Sequence, residues 1–139
     1  MIILDANNQV LGRLAAYAAK QALLGEKIEI VNSEKAVITG TKQNVLARYK
    51  AKRSRGDPFH GPFISRNPEA LLRRTIRGML PHKQVKGLAA YKRVHCHKGI
   101  PEVYNGKEFK TVKGTDVSKM SNLKFMTLGE VSKLLGGRL

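Results

Sequence analysis

The first 31 residues constrain the fold more than any other stretch, because they spell strand, helix, strand at a length that favours one pairing geometry. Ile2, Ile3 and Leu4 form a short apolar run of the buried-strand type. Val10 to Leu24 places Leu11, Leu14, Ala15, Ala18 and Ala22 at the three- and four-residue spacing of one helix face, and Gly25 supplies a stop. Ile28, Ile30 and Val31 give a second strand. Two strands joined by such a helix pair in parallel through a right-handed crossover. Ala36, Val37 and Ile38 add a short extended piece that ends at Gly40.

Helical signals dominate the middle of the chain. Lys42 to about Arg53, capped by Thr41, turns Val45, Leu46 and Tyr49 inward and leaves basic residues on its other faces. Ser54 to Glu69 holds two Gly and three Pro, too many breakers for regular structure. Asn67-Pro68 starts the next helix, with an N-cap side chain, Pro at the first position and Glu69 in the positive first turn. It should reach Leu80, stop at Pro81 and bury Leu72, Ile76 and Met79/Leu80. Gly78 inside it costs up to about 1 kcal/mol relative to Ala. Either a close approach compensates, or the helix loosens before Pro81. Gln84 to Lys92 reads as a short helix with Val85, Leu88 and Ala89 inward, leading to a strand around Arg93 to His97. Residues 98 to 125 have no clear period. Thr127, Leu128, Gly129 and Glu130 form a capping box for a last helix through Leu135, ended by Gly136 and Gly137.

Charge is segregated along this framework. The 139 residues, enough for one domain with a core, carry 26 Lys and Arg against 10 Asp and Glu, a net +16. Residues 1 to 40 are neutral, with four charges of each sign, whereas residues 41 to 98 hold 15 basic residues against only Asp57 and Glu69. The partner is therefore a polyanion. Basic groups spread over loops and helix faces fit nucleic acid better than a membrane, for which no apolar run approaches the roughly 18 residues of a span. Aromatic residues make up 6% of the chain, with no Trp, which argues against a surface of many stacking rings. The start MIILDANNQV lacks the features of a secretion signal and Cys96 is the only cysteine, so the cytosol is the expected compartment.

No motif supports catalysis. The chain has no G-x-G-x-x-G, no Walker-type loop, no H-E-x-x-H and no nucleophile elbow, and the basic segment offers too few carboxylates for a two-metal nuclease. In His95-Cys96-His97 a strand would turn Val94 and Cys96 inward and the two histidines toward solvent or RNA, so a buried thiol is expected and no metal or other cofactor. Arg73, Arg74 and Arg77 stand three and four apart and meet no acid besides Glu69. Ordinary solvated faces mix signs, so phosphate binding explains them better. The expected phosphate contacts are Arg48, Lys50, Lys52, Arg53, Arg55, Arg66, Arg73, Arg74, Arg77, Lys83, Lys86, Lys92 and Arg93. Arginine suits this task because its fork donates two parallel hydrogen bonds to a phosphate.

Three stretches carry a family resemblance: LDANNQVLGRLAA, VNSEKAVITGTK, and NPEALLRRTIRGMLPHKQVKG around its Arg-Gly-Met-Leu-Pro core. Their order and spacing over roughly residues 2 to 105 resemble the universal large-subunit ribosomal protein family numbered thirteen in the bacterial series. The resemblance implies an α/β fold, a three-layer α/β/α domain around a mainly parallel four-stranded sheet, and a non-enzymatic role in early large-subunit assembly. Implied partners are large-subunit ribosomal RNA and neighbouring ribosomal proteins, with a single copy per subunit and no homo-oligomer. Passing from LLGEKIEIVN directly into SEKAVITG, without the longer bacterial insertion, looks archaeal, as does the extension ending in TLGEVSKLLGG. The expected organisation is an α/β domain over residues 1 to 105, with its RNA-facing segment at 42 to 93, and an extension over 106 to 139. A messenger-RNA-binding translational repressor would use the same basic surface and is the alternative role.

Overall fold

The structure, a computed structural model, describes residues 1 to 138. Strand β1 (Ile2–Asp5) leads through helix α1 (Leu11–Leu23) to β2 (Ile28–Val31), and the two strands pair in parallel with Ile2 opposite Ile28 and Asp5 opposite Val31. The third parallel strand is β4 (Val94–Cys96), which lies on the other side of β2 with Val94 opposite Ile28. As the central strand, β2 is buried along its whole length, as parallel strands are when both faces are covered. The inward stripe of α1 is Leu11, Leu14, Ala15, Ala18, Ala19 and Ala22. Its small residues allow close contact with α3 (Pro68–Gly78) and α4 (Val85–Lys92).

The main sheet has three strands and not the four expected. The extended piece after β2, now β3 (Val37–Thr39), leaves the parallel sheet because Asn32 adopts a left-handed conformation (φ 55°) and Ser33–Lys35 makes a 3-10 turn. These two features redirect the chain. Strand β3 pairs instead antiparallel with β5 (Phe125–Thr127), Ile38 facing Met126, in a separate two-stranded sheet. A single bridge, Val10 to Val37, ties the two parts together, and another, Leu4 to Lys110, joins β1 to the later irregular segment. The capping box of the last helix, α5 (Leu128–Leu134), is formed: the Glu130 amide donates to Thr127 Oγ1 at 3.2 Å and the Thr127 amide to Glu130 Oε2 at 3.4 Å. Met126, Leu128, Val131 and Leu135 join the same core as Leu14, Ile30 and Leu72.

Three expectations about the middle helices need correction. Helix α3 ends at Gly78, so Met79 lies outside it with 43% of its surface exposed while the following turn buries Leu80. Space around Gly78 is open, with no atom within 4 Å of where a Cβ would stand, so the helix simply ends there. The Asn67 side chain makes no capping bond, leaving Pro68 and Glu69 as the start signals. In α4 the expected inward face points out: Val85 is 87% exposed and Leu88 47%, whereas Gly87 and Ala90 are buried. The cause is steric. Pro81 runs so close to the helix that a Cβ on Gly87 would stand 2.0 Å from its carbonyl oxygen, and this contact rotates Gly87 inward in place of the larger side chains.

Candidate nucleic-acid interface

Helix α2 (Lys42–Ser54) is the first element of the basic surface. Thr41 Oγ1 accepts from the Asn44 amide at 3.4 Å, and burial of Val45 and Tyr49 one turn apart fixes which face meets the core. Arg48, Lys50, Lys52 and Arg53 are consequently exposed, followed by Arg55. Lys52 lies 5.3 Å over the Tyr49 ring, which holds its ammonium against the helix. Arg53 is also used within the fold: its Nη1 donates to the Leu135 carbonyl at 2.7 Å, joining α2 to the end of α5.

The Gly/Pro-rich segment beyond α2 is built from its own backbone. Asp57 and Gly61 exchange backbone hydrogen bonds, and Asp57 Oδ1 accepts from the Phe59 amide at 3.0 Å. Glycine is required at position 56 (φ 84°), where a Cβ would stand 2.0 Å from the Gly61 carbonyl oxygen. The segment is anchored at its far end as well, because Ser132 Oγ of α5 donates to the Arg66 carbonyl at 2.5 Å. Arg66 itself is exposed and lines a cleft with Arg53 and Arg55. An adjoining cleft of about 440 Å³ between α2 and α3 has Tyr49, Ile64 and Leu71 in its walls and Lys52, Arg55 and Arg74 among its cations. Five basic residues from two helices and a loop thus meet in one region.

The three arginines of α3 do not share one environment. Arg74 is exposed, whereas Arg73 and Arg77 are half-buried, each with its Nε enclosed and without a hydrogen-bond partner. The Arg73 guanidinium stands 4.5 Å over the Tyr91 ring of α4. Glu69, the one acid expected near Arg73, makes no ion pair with it, and its Oε2 is likewise enclosed and unpaired. Around α4, Lys83, Lys86 and Lys92 are exposed. Arg93 is half-buried and donates to the Ala22 carbonyl at 3.2 Å, closing the C-terminal end of α1, where a cation is favoured.

Ion pairing separates this surface from the rest of the molecule. Among the described residues the four ion pairs join Met1 to Glu26, Lys27 to Glu29, His60 to Asp57 and His97 to Glu29. None uses a Lys or Arg from residues 41 to 98. His97 departs from the expectation that it faces solvent or RNA, since its Nε2 lies 2.7 Å from Glu29 Oε2 and its ring 5.6 Å from that of Tyr104. Cys96 is half-buried, and burial pushes its thiol up to about 12 despite the neighbouring charge of Arg73. It is therefore a protonated packing group at neutral pH.

Two residues absent from the sequence-based set stand out on this surface. Phe59 is 87% exposed and Phe63 76%, both on the Gly/Pro-rich segment between the arginines. The signal was present in Asp57-Pro58-Phe59-His60-Gly61-Pro62-Phe63, where each ring follows a proline in a stretch that cannot bury it within a helix or strand.

The family profile described as ribosomal protein L13 matches residues 1–103. The large ribosomal subunit protein uL13 of Archaeoglobus fulgidus is 46% identical over 137 residues, covering 98% of this chain and 88% of that protein. The protein of the same name from Methanococcoides burtonii is 41% identical over 138 residues, covering 99% of each. That from Methanopyrus kandleri is 43% identical over 136 residues, covering 96% of this chain and 86% of its own. None of these three is named for messenger-RNA repression.

Proposed function

Because the chain belongs to the ribosomal protein L13 family, we propose that it is a structural component of the large ribosomal subunit that binds ribosomal RNA and catalyses no reaction. The observation that carries this reading is the basic surface, whose lysines and arginines have no carboxylate partners among the described residues. Unpaired cations gathered on one region are held ready for an external polyanion. The mechanism is electrostatic: neutralising phosphates releases condensed counterions and lets RNA segments that repel one another pack side by side.

We assign phosphate contact to Arg48, Lys50, Lys52, Arg53, Arg55, Arg66, Arg73, Arg74, Arg77, Lys83, Lys86, Lys92 and Arg93. Arg53 and Arg93 also tie elements of the fold together through one nitrogen each. The protein enters the cytoplasmic subunit early, in one copy, beside other ribosomal proteins. Helices lie against both faces of the parallel sheet as in a three-layer domain, which the complete burial of β2 supports. The sequence divides near residue 105 into the family domain and an extension, a division supported by the end of the family match at residue 103.

Incorporation into particles tests the assignment. Lys52, Arg55 and Arg74 are exposed and meet around one cleft, so reversing all three to Glu should leave thermal melting close to that of the parent. Co-sedimentation with large subunits should fall sharply. Normal incorporation of the folded triple variant would remove the cleft from the RNA-binding surface.

A further inference from the structure

The exposed phenyl ring of Phe63 requires a ligand that phosphate chemistry alone does not describe. Phe63, Ile64, Leu71, Arg73, Arg74 and Tyr91 line a cleft of about 210 Å³ where the Gly/Pro-rich segment meets α3 and α4. This is below the roughly 300 to 1,000 Å³ of sites for drug-sized ligands, and of a scale to take one ring system. Its walls combine two chemistries. Phe63 and Tyr91 offer aromatic surface, and Tyr91 already carries the Arg73 guanidinium 4.5 Å over its ring. Arg74 is exposed, and neither arginine is ion-paired among the described residues. The Nε of Arg73 is enclosed without a hydrogen-bond partner.

A bare phosphate would leave the Phe63 ring in water, and an apolar protein side chain would leave two guanidinium groups beside it without a counter-charge. A ligand with flat apolar faces and an anionic edge satisfies both. We infer that this cleft receives a single unpaired RNA base, stacked against Phe63 beside the Arg73–Tyr91 pair, with Arg74 placed for the adjoining phosphate. Stacking on aromatic rings and guanidinium planes is how proteins commonly hold bases freed from a helix. The position of the ring is set by the locked segment before it, where Asp57 and Gly61 exchange backbone hydrogen bonds. The inference rests on the ribosomal-RNA reading above and adds the kind of nucleotide that one part of the surface selects.

Two RNA hairpins of equal stem length test it with the purified full-length chain. One carries a single bulged 2-aminopurine, and in the other 2-aminopurine is paired with uridine. The parent protein should bind the bulged RNA more tightly by about 5- to 150-fold, the range expected for one stacked base, and should quench its fluorescence. Phe63→Ala should erase the preference and the quenching while leaving affinity for the paired RNA unchanged, and Phe63→Tyr should keep both. Because Phe63 is exposed, the Ala variant should keep the fold, and a thermal melt checks it. Equal affinity of the parent for the two hairpins, or a preference that survives Phe63→Ala, overturns the base site, leaves the phosphate reading intact and gives the ring to a protein neighbour. Failure to bind either hairpin at low salt removes the ribosomal-RNA reading and the base site with it.

Discussion

Glu29 shows how a single residue in the central strand couples stability to pH. Its side chain is enclosed, with Lys27 Nζ at 3.2 Å from Oε1 and His97 Nε2 at 2.7 Å from Oε2. Burial works to raise its pKa, but the hydrogen bonds of His97 and Lys27, the charge of His95 and the Tyr104 hydroxyl outweigh it and hold the carboxyl below its usual range. The folded state therefore releases this proton more readily than the unfolded chain does. Its contribution to stability is present above the ordinary carboxylate pKa and is lost as pH falls through the lower folded value. Glu29→Gln should melt at a lower temperature than the parent near neutrality, and the gap should narrow between about pH 5 and pH 3. Melting curves across that range check it; a gap independent of pH would show that Glu29 acts by shape alone. Residue-level signals of this kind were poorly visible in sequence. The two histidines read as outward by strand alternation, and the carboxylate that captures His97 comes from a strand 68 residues earlier in the chain.

At the level of elements, helices set by local rules were legible and those set by packing were not. Thr41, Pro68 and the Thr127–Glu130 box mark real helix starts, and the small-residue stripe of α1 is the face that is buried. Helix α4 is the counterexample, since period alone favoured Val85 and Leu88 while the contact with Pro81 selects Gly87. Gly87→Ala forces a Cβ into the space of the Pro81 carbonyl, backbone against backbone, with no flexible side chain to yield. The expected loss is about 1 to 3 kcal/mol, as for other overpacked sites, read from urea unfolding. Gly78→Ala meets no atom and should cost far less. The fourth strand differs for a related reason: a three-residue run such as Val37–Thr39 fits either sheet, and its partner Phe125–Thr127 is an equally short run between a stretch of weak period and a helix cap. Stopping the chain after Lys124 removes that partner and the core residues Met126, Leu128, Val131 and Leu135. Burial of such side chains contributes about 1.5 to 3 kcal/mol each, comparable in total to the roughly 5 to 15 kcal/mol that holds a small domain together. The truncated chain should show no cooperative melting transition, and a sharp one would demote β5 and α5 to an appendage.

For the whole molecule the governing feature is the separation of a neutral framework from a cationic surface, which was the most legible property of the sequence. If about six to eight phosphates are neutralised on binding, log K should fall against log salt with a slope of about −4 to −7, at about 0.7 to 0.9 per phosphate. A titration of RNA binding from low to physiological salt measures it, and a flat profile would contradict an electrostatic mechanism. The sequence did not show how the surface is locked in place. That depends on long-range bonds, Arg53 to the Leu135 carbonyl and Ser132 to the Arg66 carbonyl, which no local pattern reports. The pairing of Val37 with Thr127 has a consequence in time. Its two edges are separated by 90 residues of chain, and at about 5 to 20 residues per second they are synthesised many seconds apart. Once Arg93 has been made, the nascent chain carries the charge of the finished surface while still lacking the strand and helix that fix its shape. Attraction to RNA thus precedes fit, and early contacts stay loose and reversible until β5 and α5 arrive to set the arginines in register.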